Sequence, residues 1–112
     1  IAECMNEVKM FNAPVTSDDL KAILSCKPKV IFRSNNNRYL AFLFSELSYR
    51  NLISPNWQSV IANHKLFLSK DKSRDKYLNQ GDLATATNYV KDIDHVKGYA
   101  IIDKYIKQLK KL

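Results

Sequence analysis

Glycine is scarce in this sequence. The 112 residues include two glycines, three prolines, two cysteines and one tryptophan. So few glycines and prolines exclude collagen-like, linker-rich and loop-dominated architectures. A phosphate-cradling loop needs several glycines whose bare backbone lets a ligand approach. Gly81 and Gly98 stand alone and far apart, so neither standard nucleotide-binding loop is present. Long apolar runs are also missing. The longest, Tyr39 to Phe44, falls far short of the roughly 20 residues that span a bilayer as a helix.

Chemistry-bearing clusters are equally thin. His64 and His95 are the two histidines, and neither belongs to a metal-binding pattern. Asp92, Asp94 and His95 lie close in sequence, but neighbouring residues on a helix point in different directions, so they do not converge on one ion, and Asp92 and Asp94 read as cap and first-turn acids. A nucleophile held beside a histidine has no motif here. Glu3, Glu7 and Glu46 are the three glutamates, and Glu46 is placed to pair with Arg50 one helical turn on. No catalytic residue, metal or cofactor is therefore expected. His64 reads as a hydrogen-bonded, partly buried side chain on an apolar face.

Cys4 and Cys26 do not make a disulfide scaffold. One bridge between them would close a loop of about twenty residues and stabilise by roughly 3 kcal/mol. Ile1 in place of an initiator methionine is what a removed secretory signal or a trimmed end leaves. Together these features predict a periplasmic or secreted protein carrying a Cys4–Cys26 bridge, with a cytoplasmic protein holding reduced thiols as the alternative. Ten asparagines without an Asn-x-Ser/Thr acceptor lean toward a bacterial envelope over a glycosylated secreted setting.

What is present is positive charge, unevenly placed. Eighteen Lys and Arg face eleven Asp and Glu, a formal net of +7. Residues 1–19 hold four acids against Lys9, whereas residues 20–112 hold seventeen basic groups against seven acids. A basic body attracts acidic partners.

Apolar periodicity predicts helices along most of the chain. The first runs over Ala2–Phe11 and ends at Asn12-Ala13-Pro14. The second has Thr16 or Ser17 as cap and Leu20, Ile23 and Leu24 as its stripe, and stops before Pro28. Lys29–Arg33 reads as extended, followed by a polar Asn turn. Leu40, Leu43, Phe44 and Leu47 mark a central helix over Arg38–Ile53. Ser54-Pro55 predicts the start of a helix continuing through Leu68. Asp82 is the expected cap of the next helix, and Asp92 or Asp94 of the last. The fold class is all-α: one domain over residues 1–112, an irregular bundle of about five helices. The alternative is α+β, with a short hairpin around residues 30–44.

Two basic stretches are candidate binding surfaces. One is Arg33, Asn35, Asn36, Asn37 and Arg38, where arginine forks flank amides in a turn. The other is Lys70, Lys72, Arg74 and Lys76. The last helix adds Lys104, Lys107, Lys110 and Lys111, read as dipole-favoured and solvated. The aromatics coincide mostly with apolar stripes and read as core. The expected function is that of a small exported, non-catalytic binding protein that occupies an acidic surface or cleft on a partner protein, as an inhibitor or an immunity protein against an envelope-acting toxin does. A basic helical nucleic-acid-binding domain is the alternative, and a homodimer is left open.

Overall fold

The computed structural model describes residues 1–71, 73, 75–91, 93–94 and 97–109. Among them are six helices and two short strands. In chain order these are α1 (Ala2–Glu7), α2 (Ser17–Leu24), β1 (Phe32–Arg33), α3 (Asn37–Tyr49), α4 (Trp57–Asn63), β2 (Phe67–Leu68), α5 (Gln80–Val90) and α6 (Gly98–Leu109). The chain is thus mostly helical with a small two-stranded sheet, an outline that fits both the helical expectation and the α+β alternative. The strand pairing is not a hairpin. Phe32 and Arg33 pair in parallel with Phe67 and Leu68, and residues 37–49 form α3 instead of a second arm.

Short polar side chains start α2, α3 and α5. The Thr16 hydroxyl accepts from Asp19 N, and the Asp19 carboxylate accepts from Thr16 N, each at 3.0 Å. Asn79 and Asp82 repeat this reciprocal box at α5, so Asp82 is the third residue of that helix and Asn79 its cap. Asn36 caps α3 by accepting from Tyr39 N at 3.0 Å. Such caps contribute about 1 kcal/mol each. At α4 the Ser54 hydroxyl bonds the Asn56 side chain, and the helix begins at Trp57, two residues later than Ser54-Pro55 suggests.

The helix ends follow a common geometry that the scarcity of glycine conceals. After α1, α2, α3 and α4 come Lys9, Cys26, Asn51 and Lys65, with φ of 52, 59, 60 and 52°. Each donates to the carbonyl three residues earlier, and the next residue donates to the carbonyl five earlier. Met10 N bonds Met5 O at 2.9 Å, Lys27 N bonds Ala22 O at 2.9 Å, Leu52 N bonds Leu47 O at 2.9 Å, and Leu66 N bonds Ile61 O at 3.1 Å. These are Schellman caps, a position usually held by glycine. Here side-chain-bearing residues take the left-handed backbone instead. This geometry ends α1 at Glu7 instead of Phe11, and turns residues 66–68 into an extended segment where the apolar stripe suggested more helix. It also leaves His64 exposed at the end of α4 and not partly buried.

α3 is the central element. Leu40, Ala41, Phe42, Leu43, Phe44 and Leu47 are buried, and the helix packs against α5 and α6. A helix apolar on so much of its circumference has to lie inside. Fully burying one leucine contributes about 1.5–3 kcal/mol. A row of rings joins α3 to the small sheet. Phe11 stacks on Phe67 at 4.8 Å between centroids, and Phe44 lies 5.6 Å from Trp57 and 6.3 Å from Phe67. The sheet is extended by single bridges, Phe11 with Ser34 and Leu68 with Tyr77. Residues 11, 32–34, 67–68 and 77 therefore lie side by side and bring the two basic stretches of the sequence together.

Candidate partner-binding surface

Arg33 is the hub of this region. Its backbone is fixed on both sides: Asn12 N donates to Arg33 O at 2.9 Å, and Arg33 N donates to Asn12 Oδ1 at 2.9 Å. Its side chain, 11% exposed, reaches across to the segment after β2. Nη1 donates to Ser69 O at 2.8 Å and Asp71 O at 2.7 Å, and Nη2 to Asp75 Oδ1 at 3.0 Å. The planar guanidinium suits this task, because one rigid fork serves several acceptors. Arg33 thus anchors loop residues within the chain itself, a role its place in the Asn-rich turn does not announce.

The loop is also braced from within. Ser73 N and Ser73 Oγ both donate to Asp71 Oδ1, at 3.0 and 2.6 Å. These bonds hold the Asp71 carboxyl below its ordinary 3.8, with the nearby charges of Arg33 and Lys76 adding to the effect. Ser69 N donates to Lys76 O, closing the loop at its base. Both acids of the loop are therefore engaged by the protein itself, while Lys70 and Lys76 are exposed. Lys65 joins them, its ammonium 5.8 Å from the ring centroid of Tyr77. Nothing in the spacing announces Lys65 and Tyr77, because their meeting depends on β2 and the Leu68–Tyr77 bridge. Lys72 and Arg74 lie outside the described residues.

The asparagines build the turn. Asn35 Nδ2 donates to Phe11 O at 2.7 Å and Lys9 O at 3.2 Å. Asn36 caps α3, and Asn37 Oδ1 accepts from Ser34 Oγ at 2.6 Å. Their amides tie the segment after α1 to this turn and the turn to the start of α3. Arg38 turns to α5, its guanidinium carbon 3.4 Å from the Tyr89 ring centroid. It does not share the Arg33 loop. Tyr89 is half-exposed and Tyr49 is 86% exposed, so the aromatics are less confined to the core than their spacing implies. Tyr39 and Tyr99 meet edge-on nearby, and burial pushes the Tyr99 hydroxyl above its ordinary 10.0.

The remaining candidates separate. Cys4 and Cys26 are free thiols, so the expected bridge is not formed. Cys4 is buried on α1, where desolvation pushes its pKa to about 11. Cys26 lines an apolar groove of about 240 Å³ with Phe44 and Trp57. The two side chains thus serve different neighbourhoods. Glu46 and Arg50 pair as expected. On α6, Lys107 pairs with Asp103 at 2.9 Å and Lys104 is exposed. Asp92, His95, Lys110 and Lys111 lie outside the described residues. Among those described, no group of three His, Cys, Asp or Glu is arranged to hold a metal ion, and no helix is long and apolar enough to cross a membrane. Comparison with known proteins finds no family model, no curated protein and no solved structure that matches this chain.

Proposed function

We propose that this chain is a small non-catalytic binding protein that seats its basic loop on an acidic surface or cleft of a partner protein, as an inhibitor or an immunity protein does. One observation carries this reading: the Arg33 guanidinium holds Ser69, Asp71 and Asp75. A loop fixed before binding loses less entropy on association. With its acids engaged internally, its exposed lysines Lys70 and Lys76 are left to meet a partner, joined by Lys65 beside Tyr77. Charge complementarity of this kind mainly steers encounter and selects the partner, and it weakens with salt. The reading holds whether the chain works in the periplasm, outside the cell or in the cytoplasm.

A photo-crosslinking amino acid at position 76, with position 104 on α6 as control, tests it in native cells. The expected result is a discrete protein adduct from position 76, competed away by unlabelled chain and reduced by added salt. Adducts with nucleic acid, or a stronger protein adduct from position 104, would overturn it in favour of the lysine face of α6.

A further inference from the structure

The end of α2, the corner after α3 and helix α4 enclose an apolar groove of about 240 Å³. Phe44 and Trp57, whose rings stack at 5.6 Å, are part of its lining. A second cleft of about 180 Å³ adjoins it and shares Leu24, Phe44, Leu52 and Ile53. All nine residues lining that cleft are apolar, among them Met5, Leu20, Leu47 and Leu109. The polar lining of the pair is confined to the first groove, at Cys26 and Ser54. Leu24 and Leu52, common to both, are 51% and 55% exposed. Large apolar side chains left open at a concave apolar site mark a binding surface.

Charge selects the occupant. Residues 20–27 and 50–66 supply all of the first groove except Phe44, and they hold Lys21, Lys27, Arg50 and Lys65 but no acid. Glu46 neutralises Arg50, whereas Lys21 and Lys27 are exposed. Lys21 lies one turn before Leu24, and Lys27 follows Cys26. Glu3, Asp18 and Asp19 sit in the first turns of α1 and α2, the helices that give Met5 and Leu20 to the second cleft. The field is therefore most positive where the lining is partly polar, and less so where it is wholly apolar. A second copy docked through the same face would bring like charges together, and a flat bilayer matches a concave groove poorly. One alkyl chain with an anionic head matches both the shape and the field. We infer that the paired clefts bind a medium-chain fatty acid. Its tail passes Leu24 and Leu52 into the second cleft, and its carboxylate stays at the Cys26–Lys27 end in the field of the lysines.

Trp57 is the chain's one tryptophan and lines the groove, so its fluorescence reports binding. The probes are decanoate and octanoate below their micelle concentrations, decyltrimethylammonium as a cation of similar tail, and phosphatidylglycerol vesicles. The expected result is a saturable change with decanoate. Octanoate, which buries two methylenes fewer, should bind about tenfold more weakly. Decyltrimethylammonium should also bind at least about tenfold more weakly, and Lys21→Glu with Lys27→Glu should narrow that difference. Leu52→Asp, at an exposed position, should weaken decanoate by a similar factor. No saturable change, equal affinity for the ammonium, affinity independent of chain length, or affinity unchanged in Leu52→Asp would overturn the assignment. A response to the vesicles alone would overturn it in favour of a membrane-facing surface. Self-association abolished by Leu52→Asp, without any effect of decanoate, would overturn it in favour of a second copy.

Discussion

The Arg33 guanidinium donates to the Asp71 carbonyl oxygen at 2.7 Å across 38 residues of sequence. That bond, with its companions to Ser69 and Asp75, ties these three residues to β1. Arg33→Ala should therefore lower global stability by about 2 kcal/mol, since hydrogen bonds to a charged group are worth more than neutral ones. The Asp75 contact adds little, because that carboxylate is 91% exposed. Amide exchange at Ser69 and Ser73 should accelerate far more than at α3. Arg33→Lys should not restore protection, because an ammonium cannot span the three acceptors as a fork does.

Gly98 is needed for space. A Cβ there would lie 2.3 Å from Tyr39 Cζ and 2.4 Å from its hydroxyl. Gly98→Ala should destabilise by about 2 kcal/mol through forced displacement of the ring. Tyr39→Leu in the same chain should absorb much of that loss, giving a non-additive double-mutant cycle in chemical denaturation.

The left-handed helix ends offer the opposite sign. Lys65→Gly should stabilise by about 1 kcal/mol, because glycine adopts that backbone without a Cβ penalty. Asn51→Gly should gain less, since asparagine already tolerates the region. A shift in denaturant midpoint at constant slope is the readout.

Cys4 makes stability depend on alkaline pH. Burial is the main reason its pKa rises from 9.0 to about 11, with Glu7 adding to the effect and the N-terminal ammonium opposing it. The unfolded thiol ionises first, so the stability this group supports is whole below about 9 and is lost as pH rises through about 11. The loss should be about 3 kcal/mol, and Cys4→Ala should flatten that part of the profile. At pH 8 iodoacetamide should label one thiol per chain, the partly buried Cys26, ahead of the fully buried Cys4. The second label should appear only on unfolding.

Helix starts were partly legible in the sequence because they carry a chemical signature. Thr16 stood with Ser17 as a candidate cap, and the stripe of α3 could be read directly, whereas the starts of α4 and α5 were each misplaced by two or three residues. Helix ends were not legible, because Lys9, Cys26 and Lys65 occupy positions where glycine is the usual signal. The missing signal also hid β2, which begins three residues after His64. The candidate surface was half legible. Lys70 and Lys76 were identified by charge alone and are exposed. The inward role of Arg33 was not, because it depends on a parallel pairing between residues 35 positions apart. The asparagines were visible as a turn, but the Lys9 and Phe11 carbonyls that Asn35 meets belong to tertiary structure.

Crosslink yield at position 76, compared between the native chain and Arg33→Gln at matched concentration and below both unfolding transitions, tests the anchored basic surface most directly. If Arg33 presents the loop to an acidic protein, the yield of the discrete protein adduct should fall at least about tenfold in the variant. The variant should keep native helix content. Equal yields from the two folded chains would contradict it, and would assign any partner to another face of the molecule.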